Sequence, residues 1–418
     1  MNVRRCAAAL AASAVLCAGA APAAFAAPSP SPAPVVPSGL FGKGDPTFDG
    51  VWRQSFALLA QQAVGVRPAP QAVGWLTGQQ CADGAFAAFR ADSGAACDAK
   101  TVLDTNATAV AVQALKALGG HDAAVKKGAD WLKSVQNEDG GWSYNPGAPS
   151  EGSSTPLVIS ALVAAGEKPA DVKSKAGKSA YDALLSFQLG CAAEPAADRG
   201  AFGYQVQDGK LPANAGASAA SVLAGLGAGP VVAPAAADTP AAALECPAGA
   251  KDPAAAAQAS AGYLAEALKK DGHLVVKTPG AETVTADVGN TADAVIALAA
   301  AGHKQSAAGA LEWLKANSAE WSKGNPAALA TLVLTAHATG TDPKAFGSTD
   351  LVTALNATGP SDAPAATPRQ SAAADAGPSA DSSKSSGSSN VGIWWIIGLG
   401  AVAGVGIGFV MSRRKQQP

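Results

Sequence analysis

Two kinds of helix alternate along this chain, and the alternation leaves few architectures open. One kind is almost pure Ala, Val and Leu: Thr108–Leu118, Thr155–Ala165, Ala215–Leu226, Thr291–Ala301 and Ala327–Ala338. A helix that is apolar on every side belongs in an interior. Most of these segments run into a glycine, at Gly119, Gly166, Gly227, Gly302 and Gly340, the residue best suited to the left-handed turn that ends a helix. The other kind carries Lys, Glu and Asp along one side: Asp122–Val135, Val172–Phe187, Asp252–Lys269, Lys304–Ala316 and Pro343–Leu355. One-sided helices belong on an outside. Val51–Val64 and Pro70–Gln79 complete the set, giving about twelve helices in six hairpins. A self-similar helical period of this size sets the architecture. It predicts an all-α fold, an α/α toroid with apolar helices ringed by amphipathic ones. No segment alternates polar and apolar residues at a period of two, so little sheet is expected.

The toroid accounts for residues 45–358, and the flanks read differently. Arg4 and Arg5, an apolar run from Ala7 to Ala21, and Ala24-Phe25-Ala26 have the layout of a signal peptide over residues 1–26. Residues 27–44, with PSPSPAPVVPSG, are Pro-rich and expected to be extended and unfolded. Residues 359–390 hold Ser, Ala, Pro, Asp and Gly with almost no large apolar side chain, the composition of a disordered stalk. Residues 391–411 are apolar and uncharged, long enough to cross a ~30 Å hydrocarbon core as one transmembrane helix. Trp394 and Trp395 stand at one end, and Arg413, Arg414 and Lys415 come next in a cytoplasmic tail, 412–418. Positive flanks stay inside, so the body is expected outside the cell membrane on a single-pass anchor.

Four cysteines remain after the signal segment: Cys81, Cys97, Cys191 and Cys246. An even number in an exported chain predicts two disulfides. Three pairings are possible. The sequential one, Cys81 with Cys97 and Cys191 with Cys246, is preferred because each pair brackets a loop. No C-x-x-C or neighbouring His pair points to zinc. A formal net charge of -2 over 418 residues offers no electrostatic reason for nucleic-acid binding.

One stretch carries a family pattern. Lys127-Gly128-x-x-Trp131-Leu132-x-x-x-Gln136-x-x-x-Gly140-x-Trp142 resembles the QW repeat of squalene–hopene cyclases and related terpene cyclases. Trp75-Leu76-x-x-x-Gln80-x-x-Asp83-Gly84-x-Phe86 is a looser copy, and Gln188 with Gly200 and Phe202 resembles a third with an insertion. Tyr263-Leu264 to Gly272 and Trp313-Leu314 to Trp321 look like eroded copies. The resemblance implies an α/α toroid in which the Gln ties an outer-helix end to the next helix and the Trp packs over it. It is less informative about activity. Cyclases of this fold protonate an alkene with a D-x-D-D motif at an inner-helix start. Here Asp104-Thr105-Asn106-Ala107 and Asp287-Val288-Gly289-Asn290 keep the first acid and lose the central one. The zinc set of the protein prenyltransferases and the C-G-E-Q of thioester domains are missing from the sequence. No catalytic residue, metal or cofactor is therefore assigned. Cobalamin carriers use a similar toroid outside the cell, completed by a β-domain that is not visible in this sequence.

Parallel inner helices bring their N-termini to one mouth, where partial positive charge and free N–H groups suit a polar or anionic ligand group. Its candidate ligand-binding residues are Asp104, Asn106, Trp142, Tyr144, Ser154, Thr155, Tyr204, Asn214, Asp287 and Asn290. Each is also what a helix cap or a packed loop requires. Glu138, Asp139, Glu151, Glu194, Asp198 and Asp287 are carboxylates from which a catalytic pair could come, though loop acids are commonly just solvated. The functional expectation is a membrane-anchored, extracellular, non-catalytic toroid binding a small molecule, a corrinoid or an isoprenoid-like compound. A corrinoid would need a second extracellular or membrane protein to complete the site. The alternatives are a surface enzyme acting on cell-wall polymer or lipid, and a structural or protein-interaction module.

Overall fold

The structure, a computed structural model, describes residues 36–234, 238–246, 252–277 and 283–360. The signal segment 1–26, the first half of the Pro-rich segment, nearly all of the 359–390 stalk, the 391–411 apolar segment and the tail lie outside the described residues. Among the described residues no helix is long and apolar enough to cross a membrane.

Six hairpins succeed one another among the described residues. The first five are α1 (Gly50–Ala63) with α2 (Pro70–Gly78), α3 (Thr105–Leu118) with α4 (Asp122–Ser134), α5 (Ser154–Ala164) with α6 (Ala180–Ser186), α7 (Ala215–Gly225) with α8 (Pro253–Asp271), and α9 (Val288–Ala300) with α10 (Ala308–Asn317). A one-turn α11 (Ala319–Ser322) then precedes the sixth, α12 (Pro326–Thr339) with α13 (Leu351–Thr358). The first helix of each pair packs on the first helix of the next: α1 on α3, α3 on α5, α5 on α7, α7 on α9, α9 on α12, and α12 back on α1. The ring is closed. Nearly every residue of α3 is buried, from Thr105 to Leu115, whereas α4 buries only Val125, Gly128, Ala129, Trp131 and Leu132. The inner and outer rings are thus those that the two helix types predict. Sheet among the described residues is one two-residue hairpin, Val275–Val276 with Thr285–Ala286, plus isolated bridges.

The inner helices run parallel. The α3 N-terminus meets the loop before α5 through Thr105 N–H to the Tyr144 carbonyl, and the α5 N-terminus meets the loop before α7 through Gly152 N–H to the Tyr204 carbonyl. At the other end the Gln62 amide of α1 donates to the Ala117 carbonyl of α3. The glycines that end the inner helices have the left-handed φ expected, as at Gly340 (φ 70°) closing α12.

The repeat explains the joints. Gln80 donates to the Gly84 and Ala124 carbonyls, and Gln188 to Gly200 and Ala256. Each amide thereby ties the end of one outer helix to the start of the next outer helix, satisfying carbonyls that a helix or loop leaves free. Gln136 keeps the first of these bonds, to Gly140. The glycines Gly84, Gly140 and Gly200 press backbone to backbone on the next outer helix or its cap, where a Cβ would lie 2.2–2.7 Å from the carbonyl oxygens of Lys127, Ser179 and Ala259.

Three local expectations shift. The packed body starts before residue 45, because Leu40 and Phe41 are core residues and the Phe41 N–H donates to the Gln54 side chain. The outer helix expected from Val172 begins only at Ala180, where Ser179 and Asp182 form a reciprocal capping box. The last outer helix begins at Leu351 behind the Asp350 cap, not at Pro343.

Both disulfides take the sequential pairing, Cys81–Cys97 and Cys191–Cys246. The second anchors a strap that leaves α7 and passes over the C-terminal end of the ring. Gly229 lies against the Gln113 side chain of α3, Val232 is buried, and Pro234 lies beside Gly340 at the end of α12. Thr239 then bonds the Gly302 and His303 region behind α9. The chain reaches from α7 to α3, which are not neighbours in the ring, so the strap crosses the end of the lumen.

Candidate functional site

Four of the inner helices begin in the same way. Asp104, Glu151, Asn214 and Asp287 each donate their backbone N–H to the carbonyl of Phe86, Trp142, Phe202 and Leu274 respectively, at 2.8–2.9 Å. Four residues later Thr108, Thr155, Ser218 and Thr291 accept from the N–H of those same four residues with their hydroxyls. The hydroxyl therefore marks the outward side of each inner helix. At 100° per residue, the residue two before it and the residue two after it point the opposite way, into the ring.

At the N-terminal end of the inner helices the carboxyls gather. Asp104 is buried and caps α3 through the Ala107 N–H at 2.8 Å. The Tyr144 hydroxyl donates to it, and burial, with Glu151 nearby, holds its carboxyl up at about 6. Glu151 is also buried; its Oε2 accepts from Ser154 Oγ at 2.8 Å and from the Tyr144 N–H at 3.3 Å, and the Tyr204 hydroxyl donates to it as well. Burial raises the Glu151 carboxyl, and burial plus the adjoining carboxylates raise both tyrosine hydroxyls. Further round, Asp287 caps α9 through the Asn290 N–H and accepts the Asn290 side-chain amide at 2.6 Å. Burial raises its carboxyl too. None of these three acids has a basic partner among the described residues.

The candidate residues separate into groups. Asp104, Tyr144, Ser154 and Tyr204 come together around the carboxylates, with Glu151 as the member that links them. Asp287 and Asn290 form a second group, and Asn290 Oδ1 reaches Gly216 at the start of α7. Asn214 is an N-cap, accepting from Ala217 N–H at 2.8 Å. Asn106 is buried on the inward side of α3. Trp142 and Thr155 do not belong to the site. Trp142 is fully buried and its indole N–H donates to the Leu132 carbonyl at 2.7 Å, while Thr155 faces outward to the Trp142 backbone.

The expectation of a mouth suited to an anion is corrected by the same geometry. One first-turn N–H of each of α3, α7 and α9 is taken by the helix's own cap, the Thr105 and Gly152 N–H groups go to loop carbonyls, and the rim carries three carboxylates without a basic partner among the described residues. An anionic group would meet repulsion with few donors to receive it. Of the loose acids, Glu138, Asp139 and Glu194 are exposed. Glu151, which the sequence groups with the loop acids, is the member that links the candidate site. The spacing that reveals it, an acid or Asn four residues before Thr or Ser, is present in the sequence at Asp104, Asn214 and Asp287. Among the described residues no group of three or more His, Cys, Asp and Glu side chains is arranged to hold a metal ion.

No family model matches the chain, and no curated protein matches it. Among solved structures it is similar to ent-copalyl diphosphate synthase from Streptomyces platensis, with 17% sequence identity and a TM-score of 0.46. The match covers 70% of this chain and 50% of that one, so the chain spans about half that enzyme's length.

Proposed function

We propose that the toroid is a binding vessel for a small amphiphilic molecule. The observation that carries this reading is the Asp104–Tyr144 and Glu151–Tyr204 pairing at the end of the ring away from the strap. Buried carboxylates held by tyrosines and left without a base are costly to fold. They are well placed to receive a ligand head that donates hydrogen bonds. Below them the inward faces carry Trp52, Phe56, Leu157 and Leu223, all partly reached by solvent, a surface for an apolar body. An isoprenoid alcohol or a corrinoid suits this arrangement better than a prenyl diphosphate. We read the chain as exported by residues 1–26 and held at the outer face of the membrane by residues 391–411. The two disulfides fit an oxidising compartment.

The test is melting of the purified chain with a polyprenol, the corresponding polyprenyl phosphate and a corrinoid, with absorbance followed for the last. Stabilisation by the polyprenol or the corrinoid, lost in Glu151→Gln, is expected. Tighter binding of the phosphate, or no shift with any of the three, overturns the reading.

The acid pair also supports a second reading, a surface enzyme using Asp104 or Glu151 as general acid on cell-wall polymer or lipid. Release of fragments from purified wall material, abolished in Glu151→Gln with folding intact, is its signature.

A further inference from the structure

The large hydrophobic side chains that the fold leaves in water are gathered at one end. Among the described residues they are Phe48, Val102, Val206, Val231, Val275 and Val284. A single exposed apolar side chain is ordinary on a protein surface. Five of these six, however, stand in the loops that enter inner helices. Phe48 precedes the Asp49 cap of α1, Val102 comes two residues before the Asp104 cap of α3, Val206 lies in the loop before α7, and Val275 and Val284 belong to the hairpin before α9. Only Val231 is elsewhere, on the strap. Phe48 is 78% exposed, Val102 72% and Val206 67%, so these are tips rather than edges of the core.

The loops form one rim. The α1 start bonds the loop before α3 through Val51 N–H to the Ala88 carbonyl, and α3 bonds the loop before α5 through Thr105 N–H to Tyr144. The Gln205 amide then joins the loop before α7 to the Pro149 carbonyl in the loop before α5.

The chain leaves the body at this same end. The Thr358 carbonyl, at the close of α13, accepts from Gly42 N–H at 2.8 Å. Gly42 lies against Pro326, the first residue of α12, so both sit at the N-terminal end of the inner ring. Residues 359–390 follow, and then the apolar run 391–411. A flexible tether of that length spans roughly 30 Å. An inner helix of 14 residues sets the strap end about 20 Å further back. The rim is therefore the face that an anchor at 391–411 holds nearest the bilayer.

We infer that this rim is a docking face for the outer surface of the bilayer that holds the anchor, with Phe48, Val102, Val206 and Val284 entering the boundary between headgroups and acyl chains. The inference rests on the reading of residues 391–411 as a membrane anchor. Charge does not drive the contact. Lys43, Lys100 and Lys210 are exposed in these loops, and Asp45, Asp98 and Asp208 are exposed beside them. Insertion of apolar tips carries it, so it is expected on zwitterionic lipid and should survive high salt.

The experiment places one added tryptophan at either end of the full-length chain, Phe48→Trp at the rim and Val231→Trp on the strap. Each variant is reconstituted into phosphatidylcholine vesicles with or without bromine on the acyl chains, which quenches tryptophan on contact, and the wild-type signal is subtracted. The added Phe48→Trp emission is expected to fall at least twofold in brominated vesicles, at low and at high salt, and that of Val231→Trp to stay unchanged. Val102→Ser with Val206→Ser should restore at least half of the lost emission without lowering the melting temperature, since both positions are exposed. No quenching at Phe48→Trp, equal quenching at the two ends, or quenching that salt abolishes overturns the docking face and leaves the anchor standing; the first is also what a rim covered by a second protein would give. A wild-type chain that does not stay with the vesicles overturns the anchor reading and the docking face with it.

Discussion

The indole N–H of Trp142 reaches back over the end of the preceding outer helix and donates to the Leu132 carbonyl at 2.7 Å. The ring is fully buried, and the Trp142 backbone is at the same time bonded to Thr155 on the next inner helix. One residue thus fastens an outer helix, a loop and an inner helix. Trp142→Phe keeps most of the packing and leaves the buried carbonyl unpaired, a cost of about 1–3 kcal/mol. Trp142→Ala adds a cavity and should cost about 3–5 kcal/mol. Denaturant midpoints of the two variants should fall in that order, with unchanged slopes; a Trp142→Phe midpoint equal to that of the wild type would show that the hydrogen bond is immaterial.

Gly140 and Gly147 both have a left-handed φ, +88° and +85°, but only Gly140 is crowded. A Cβ at Gly140 would sit 2.3 Å from the Ser179 carbonyl oxygen, whereas nothing lies within 4 Å at Gly147. Gly147→Ala should cost about 1 kcal/mol, the strain of the backbone alone. Gly140→Ala should cost about 2–5 kcal/mol, because the loop must also lift off the outer helix. Similar losses at the two sites would contradict the close packing described.

The raised acids give a pH dependence with a definite sign. Asp104 titrates at about 6 and Asp293 at about 7 in the folded chain, against roughly 3.9 when unfolded. Between those values the folded state binds more protons, so stability rises as pH falls from about 7 toward 4. Asp104 faces Tyr144 and Glu151, Asp293 faces Asp287, and none of these supplies a positive charge to reverse the trend. Below that window the acids with lowered values, such as Asp130 and Asp182, take up protons and stability drops. Asp293→Asn should flatten the upper part of the curve. Melting temperatures measured from pH 4 to 8 decide it, and a flat wild-type profile would rule out enclosed carboxyls.

Cys191 and Cys246 are 55 residues apart, and Cys81 and Cys97 are 16 apart. Closing loops of this size is worth about 3–4 kcal/mol each in the chain-entropy account. Replacing either pair with serines should lower the melting temperature, and peptide mapping under non-reducing conditions should recover these two pairs. Loss of the Cys191–Cys246 bridge should also speed hydrogen exchange in residues 228–246 without loosening the six-helix ring.

Much of the fold was legible because inner and outer helices obey different solubility rules, and glycine marks where the inner ones stop. The inner segment expected at Thr291–Ala301 lies within one to three residues of α9. The Pro-rich composition before residue 45 concealed a further copy of the joint, in which Phe41 and Gln54 take the parts that Phe86 and Thr108 play later. Composition reports what a segment cannot bury on its own, and here two residues suffice to dock it. The site was half legible. Asp104, Tyr144, Tyr204 and Asp287 stand out as helix-start and loop residues, but Glu151 reads as a loop acid until the common register of the repeats is laid out.

The strap has a consequence for traffic. A ring open at both ends is a pipe, through which one molecule can chase another. With residues 228–234 lying across the far end and Cys246 pinning the strap where it rejoins the outer ring, this ring is a cup. Whatever enters must back out past the same carboxylates and tyrosines. If the toroid is the binding vessel proposed above, a second molecule could not push the first one through, and exchange would wait on departure.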